Sequence, residues 1–420
     1  MDKKMAYKLS KNNLKIKHVL IASCIVFLSV ALLVSCLRIS SKPEIVFKYD
    51  TYLKDTPEIR VLLLDDVKTA EISIHQPYSI SNLDRSVGLV QGIDLSKSTI
   101  RLKSGKFLVE PIDSPGMSKG GGFVIEADGK VEITLHSEGG YISLNNSKYL
   151  GKILLVPGSD EHFSVLEEIG IETYLTGVVV SEIPEKWQDD AIYAQVVAAR
   201  SYAVYQKKTK NNSSFHIGKL GLAYHGSYTN KLRINEIVEK TRGVVMVYDW
   251  EVMPGYFHST CGGHTEDINL VFGLKSIPPL SGVQCGYCGK SRHYRWEKRL
   301  KKNEVERKLQ NYKFDIKHIY DIVAEKKGLG GHGSTVKVKH SGGTNSFDAN
   351  VFRLMVGPNI LRSTAFAFKE EGDLFVFNGK GWGHGVGLCQ YGMEGMAESG
   401  FQWFDILKYY YPGIDLVKIY

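Results

Sequence analysis

Apolar and polar residues alternate through much of residues 58–158. Val131-Glu132-Ile133-Thr134-Leu135-His136 switches at each step, the period of a strand with one buried face. Residues 59–64, 70–74 and 149–155 are similar runs. Turn formers separate them: Gly120-Gly121-Gly122, Asp128-Gly129, Gly139-Gly140 and Asn145-Asn146. A small β-rich domain is therefore expected over 58–160. It carries no acidic pair and no metal-ligand spacing, so packing or positioning is its expected role. Near Ile169 the pattern changes. Residues 174–184 read as an apolar strand that ends in the carboxylate of Glu182. A helix should follow, because Trp187, Ala191, Ala194, Ala198 and Tyr202 recur at spacings of three and four, with Asp189-Asp190 suiting the dipole of its first turn. Residues 244–248 read as a strand. Leu300, Val305, Leu309, Ile316 and Ile322 among Lys and Glu suggest surface amphipathic helices over 300–327, and the Gly-rich 326–346 reads as loop. Two helices close the chain, one ending near Gly400 and one over 403–411, stopped by Pro412-Gly413.

One run stands apart. Residues 19–37 hold no charge and no Pro, between Lys17-His18 and Arg38. A membrane-crossing helix needs about 20 apolar residues, whereas a cleavable signal core has about 7–15. The lysine-rich flank should stay in the cytoplasm, which puts 39–420 outside. A single-pass anchor is one expectation. A lipoprotein signal is the other, because Leu33-Val34-Ser35-Cys36 resembles a lipobox and would make Cys36 the acylated terminus. The expected organisation is thus a tail with anchor or signal (1–38), a linker (39–57), the β-rich domain (58–160) and a mixed α/β domain (161–420). The fold class is α+β.

Composition narrows the function classes. The chain of 420 residues is 43% hydrophobic and 23% charged, a globular balance that excludes general disorder. Its net charge of +8 is uneven: residues 1–18 carry +5 and residues 290–308 carry +6, so the rest sums to −3. A nucleic-acid-binding domain would spread basic charge over a folded face, and that class is set aside. Six cysteines in this length exclude a disulfide-dense scaffold.

Three places carry candidate chemistry. Glu182 sits between Val178-Val179-Val180 and Trp187; apolar walls would raise its pKa and let it hold a proton for donation near neutral pH. The plainer alternative is a helix-flanking carboxylate. Cys261-Gly-Gly-His264 and Cys285-Gly-Tyr-Cys288 form two short knuckles, with His258 and His293 nearby, a spacing that suits a tetrahedral structural zinc held by Cys261, His264, Cys285 and Cys288. Disulfides compete with that reading in an oxidising compartment, although a Cys285–Cys288 bridge would leave Cys261 unpaired. The stretch 379–390 has Gly at every second position around His384 and Gln390. Val386 stands where a dinucleotide fingerprint needs its third Gly, and no Gly-Lys-Ser/Thr follows, so a phosphate cradle is rejected. Close backbone approach to a ligand, or a packed turn with a buried His, remain.

Four ordered segments resemble the SpoIID/LytB family over about residues 58–418. They are the stretch from Glu172 through Thr-Tyr-Leu-Thr-Gly to Ser181-Glu182-Ile-Pro, the segment Ala194-Gln195-Val-Val-Ala-Ala-Arg200-Ser-Tyr-Ala, the box Phe257-His258-Ser259-Thr260-Cys261-Gly262-Gly263-His264-Thr265-Glu266, and Gly381-Trp-Gly383-His384-Gly385-Val-Gly387 with Gln390-Tyr-Gly392. The resemblance implies a peptidoglycan lytic transglycosylase with Glu182 as the general acid that cleaves the MurNAc–GlcNAc linkage and then as the base that draws the C6 hydroxyl proton, giving a 1,6-anhydro product without water. One carboxylate suffices for this, whereas a glycoside hydrolase normally uses two. Glu185, the nearest second carboxylate, reads as a solvated helix residue. By motif position Gln195, Arg200, His258, Ser259, His384 and Gln390 are expected to line the cleft and bind sugar groups. Cys389 and Met393 depart from the usual Ser and Ala, and Cys261 replaces a Ser. The resemblance further implies peptidoglycan strands as partner, no organic cofactor, and a role in wall remodelling, including sporulation. The LytB branch adds an alternative, a non-catalytic modifier of a wall amidase. The basic 290–308 run then reads as solvated surface or as a contact for anionic wall polymers.

Overall fold

The alternation read over 58–158 becomes two six-stranded antiparallel sheets that share one core. A computed structural model describes residues 53–112, 122–126, 129–137, 139–218, 221–228 and 230–420. The 19–37 segment with Cys36 lies outside the described residues, and the turns at 120–122 and 128–129 lie partly outside. Among the described residues no helix is long and apolar enough to cross a membrane.

The first sheet orders its strands Glu58–Val67, Phe163–Gly170, Lys152–Pro157, Val131–Leu135, Tyr78–Asn82 and Val87–Gly92. The second runs Ser147–Tyr149, Ile142–Leu144, Thr69–Ile74, Leu95–Lys103, Lys106–Pro111 and Phe123–Glu126. Every second side chain turns inward, as in Ala70, Ile72 and Ile74 from one sheet and Val131 and Ile133 from the other, all buried in the same core. Asn145 and Asn146 both have positive φ (47° and 68°) and close the hairpin between Ile142–Leu144 and Ser147–Tyr149, as their residue types predict. The run 149–155 is not one strand: the chain leaves the second sheet at Tyr149 and enters the first at Lys152.

A second core gathers around two helices. Residues Ile171–Glu182 are helical, not the strand expected over 174–184. The correction has a physical cause. Tyr174, Leu175, Val178 and Val179 are all buried, so the helix is covered nearly all round and its sequence shows no 3.6-residue contrast. Gly177 permits that cover, because a Cβ there would lie 2.5 Å from the carbonyl oxygen of Gly226. The helix expected after Trp187 spans Asp189–Thr209, with Asp189 and Asp190 in its first turn. Helices Leu232–Lys240, Gln390–Glu398 and Trp403–Tyr410 pack with it, together with strands Val244–Tyr248 and Asp415–Lys418.

A third core lies inside the 161–420 segment. Strands Arg295–Lys301, Leu374–Lys380 and Phe366–Glu371 form one sheet, and Ile319–Glu325, Thr335–His340 and Gly343–Asp348 another. Helices Lys302–Gln310 and Ala349–Val356 close over them. Thus 300–327 is a strand, a helix and a strand rather than a set of surface helices. The expected loop 326–346 contains a hairpin whose Val336 and Val338 are fully buried, their alternation with Lys hidden in a Gly-rich setting.

Candidate active site

Helix Ile171–Glu182 stops where Ile183 turns extended (φ −134°, ψ 153°) before Pro184, and Glu182 is its last residue. Its half-buried side chain reaches a cleft of about 630 Å³. Burial pushes the Glu182 carboxyl up from the ordinary carboxylate range. Two donors oppose that shift: the Ala223 backbone N–H at 2.7 Å from Oε1, and the Gln390 side-chain amide at 3.2 Å from Oε2. Both donors orient the carboxyl and favour its ionised form. Glu182 is the one carboxylate among the described residues that line the cleft. Glu185 points away and pairs with Lys231 at the surface.

Two motif segments build the opposite wall. Phe257–His258 and Leu388–Cys389 run side by side as a short parallel pair, and Thr260 exchanges backbone hydrogen bonds with Trp382. The glycines of the 381–387 stretch serve this contact. A Cβ on Gly383 would meet the His258 Cβ at 2.7 Å, and one on Gly387 would meet the Tyr256 carbonyl at 2.1 Å. The close approach is therefore to the protein's own chain rather than to a ligand.

His258, Ser259, His384 and Gln390 line the cleft with Glu182. His258 is pushed down to about 4 by burial, so its ring is neutral at pH 7. Its Nδ1 lies 3.1 Å from the Val386 carbonyl, which fixes the proton there and leaves Nε2 as an acceptor with no partner. Burial also holds His384 well below its usual value; its Nδ1 accepts from the Val386 N–H. Both imidazoles at the cleft wall are thus neutral at pH 7.

Two residues expected to face substrate do not. Gln195 is fully buried behind Gln390, whose amide lies 3.5 Å from the Gln195 Oε1. Arg200 is fully buried and makes a bidentate pair with Glu172 (3.0 and 2.7 Å), with further bonds to the Val238 and Val244 carbonyls. Glu172 also accepts from the Tyr420 hydroxyl at 2.6 Å. A guanidinium so fully satisfied has no donor to offer a sugar; it ties three helices to a strand. The expectation failed because a motif position does not tell which side of a helix it occupies.

Sequence reasoning also missed contributors to the cleft. Asn350 and Arg353, from helix Ala349–Val356 of the third core, line it. Nothing in their local pattern signals this, because that helix reaches the cleft only through the packing of the third core.

Beside the cleft, the ligand atoms of Cys261, Cys285, Cys288 and Cys389 all lie within 4.8 Å of one another, and all four residues are buried. No disulfide joins them. The Sγ atoms of Cys261 and Cys288 are 3.6 Å apart, and the Cys285 Sγ lies 3.1 Å from the Tyr410 hydroxyl. His264 is not part of the group; its Nδ1 faces the Thr265 carbonyl at 2.5 Å. Cys389 takes the fourth place because the parallel pairing of 388–389 with 257–258 carries it next to Cys261. Spacing along the chain cannot reveal a thiol brought in by such a pairing.

Comparison with known proteins accords with this geometry. Residues 159–248, which contain Glu182, match SpoIID, described as stage II sporulation protein. Residues 284–387 match a domain of unknown function, DUF8618. An uncharacterized protein of Brachyspira hyodysenteriae is 30% identical over 86% of this chain and 92% of its own length. The stage II sporulation protein D of Bacillus subtilis is 29% identical over 60% of this chain and 75% of that protein. The amidase enhancer of Bacillus subtilis is 27% identical over 76% of this chain, which spans 50% of that longer protein. With its motifs, its matched region and these relatives in agreement, the chain belongs to the SpoIID family.

Proposed function

We propose that this chain is a peptidoglycan lytic transglycosylase. A protonated Glu182 donates to the glycosidic oxygen between MurNAc and GlcNAc, and that bond breaks as the leaving sugar takes the proton. The resulting carboxylate then draws the proton from the C6 hydroxyl of the muramic residue while its oxygen closes on C1, forming the 1,6-anhydro ring. The single observation that carries this reading is that Glu182 stands in its cleft with no second lining carboxylate among the described residues. Hydrolysis with inversion normally uses a second carboxylate to activate water, and retention normally uses one as nucleophile unless the substrate's own N-acetyl group takes that part. Burial favours the protonated acid, and the Ala223 and Gln390 donors stabilise the carboxylate it becomes.

Digestion of purified glycan strands, followed by mass analysis, tests the reaction. Fragments ending about one water below reducing ends are expected; reducing ends alone would make the protein a hydrolase. The amidase-enhancer relative favours a second reading, in which the chain modifies a wall amidase without cutting glycan itself. Strands left intact by the protein, with an amidase stimulated equally by wild type and Glu182→Ala, would establish that role instead. In either reading residues 19–37 or Cys36 would hold the protein at the outer face of the cell membrane.

The four buried thiols are proposed to hold a structural zinc. Tetrahedral Zn–S bonds of about 2.3 Å put sulfurs about 3.8 Å apart, close to the 3.6 Å between Cys261 and Cys288. Four protein ligands leave no open position, so the metal would fix the Cys389-Gln390 junction rather than supply hydroxide. Purified protein should contain about one zinc per chain. Cys389→Ser should lose it and His264→Ala keep it; the reverse pattern would restore the ligand set expected from the knuckles.

A further inference from the structure

Glu167 has no place in the chemistry above, yet it is a fully buried carboxylate at the end of the β-sandwich that meets the helical core. Its Oε1 accepts the Gly151 N–H at 2.9 Å, and its Oε2 accepts the Tyr224 hydroxyl at 2.7 Å. Tyr224 packs against both the sandwich core and the helical core, with its ring 4.9 Å from that of Tyr174 on the helix that ends in Glu182. The residue before it is Ala223, whose N–H donates to Glu182. The segment is pinned again by Ser227, whose N–H donates to the Lys148 carbonyl and whose hydroxyl lies 3.0 Å from that of Tyr224. Gly226 sits against Lys148 at a positive φ of 112°, where a Cβ would lie 2.4 Å from that carbonyl oxygen.

We propose that Glu167 and Tyr224 are positioning residues: the β-sandwich holds residues 221–228 through them, and this segment presents the Ala223 N–H to Glu182. The inference rests on Glu182 being the acid and gives the β-rich domain a part in catalysis. Burial lifts the Glu167 carboxyl to about 7, against the opposing pull of the Tyr224 and Gly151 bonds. The other ionisable groups set against it are Tyr149, Tyr174 and Tyr224; Glu182 faces Tyr174 and His225. Burial sets the upward direction at both carboxyls, opposed at Glu167 by the Tyr224 and Gly151 donors and at Glu182 by the Ala223 and Gln390 donors and by His225.

Tyr224→Phe removes the hydroxyl and keeps the ring. It is expected to lower kcat on glycan strands roughly tenfold to a hundredfold with KM unchanged, the size of effect that follows a small misplacement of a catalytic group. Loss of the Ala223 donor destabilises the Glu182 carboxylate, so the limb on which activity falls with rising pH should move to higher pH. Glu167→Leu should act likewise, and the double variant should be no worse than either single one. Glu167→Gln keeps an acceptor for Tyr224 but turns an amide NH2 toward the Gly151 N–H, so its kcat should lie between those of wild type and Glu167→Leu. Exchange at the Ala223 amide should quicken in Tyr224→Phe.

An unchanged kcat and an unmoved limb in Tyr224→Phe would overturn the proposal, as would a lower kcat with the limb unmoved. Glu182→Gln, run in parallel, separates the two levels. If it is inactive while Tyr224→Phe behaves as wild type, only the positioning role is lost. If it keeps full activity, the assignment of the acid itself fails.

Discussion

Glu182→Gln is expected to lower the rate of strand cleavage by about 10²–10⁴-fold, the usual contribution of a positioned general acid. Gln matches Glu in shape and still accepts the Ala223 N–H, so the cleft should keep its form and KM should change little. What disappears is the proton. The wild-type pH profile follows from the same physics. Because burial raises the carboxyl, Glu182 stays protonated to higher pH than an exposed glutamate, and activity should fall as pH rises through that raised value. Gln390→Ala removes a donor that opposes the shift, so its falling limb should lie at still higher pH. A rate for Glu182→Gln within a few-fold of wild type would end the assignment of Glu182 as the acid, whatever products appear.

The second large effect concerns stability. Arg200→Ala should destabilise the fold by about 3–5 kcal/mol, because it leaves the Glu172 carboxylate buried without its guanidinium. Thermal unfolding should then fall by on the order of 10 °C. Glu172→Gln should cost a similar amount, because it strands the buried, permanently charged Arg200 guanidinium and turns an amide NH2 toward its Nη2. If Arg200 instead served substrate from the cleft wall, Arg200→Ala would leave the melting temperature near that of wild type and raise KM. The two measurements together decide between a structural pair and a binding residue. The fully buried guanidinium already points to the first.

These contrasts show where sequence was sufficient. Strand alternation in Thr69–Ile74 and Val131–Leu135 was legible because each strand has one buried face, and the period of burial is written into residue type. The helix Asp189–Thr209 was legible for the same reason at a different period. Helix Ile171–Glu182 was misread as strand because burial on nearly every side erases any period. In the third core the alternation of Val336 and Val338 with Lys337 and Lys339 was overlooked because it lies in a Gly-rich stretch that reads as loop.

At the site, the sequence put Glu182 forward as the candidate acid through its apolar neighbours and its place in a family-like segment, and the spacing of the cysteines marked a compact centre. Tertiary structure decided which partners each received. Parallel pairing of 388–389 with 257–258 brought Cys389 into the thiol group in place of His264. Helix packing turned Arg200 inward toward Glu172. A tyrosine contacting two cores placed a backbone N–H on the carboxylate. A side chain's chemistry is local and can be read from its letter; its neighbours are set by contacts between segments distant along the chain, and only folding chooses those.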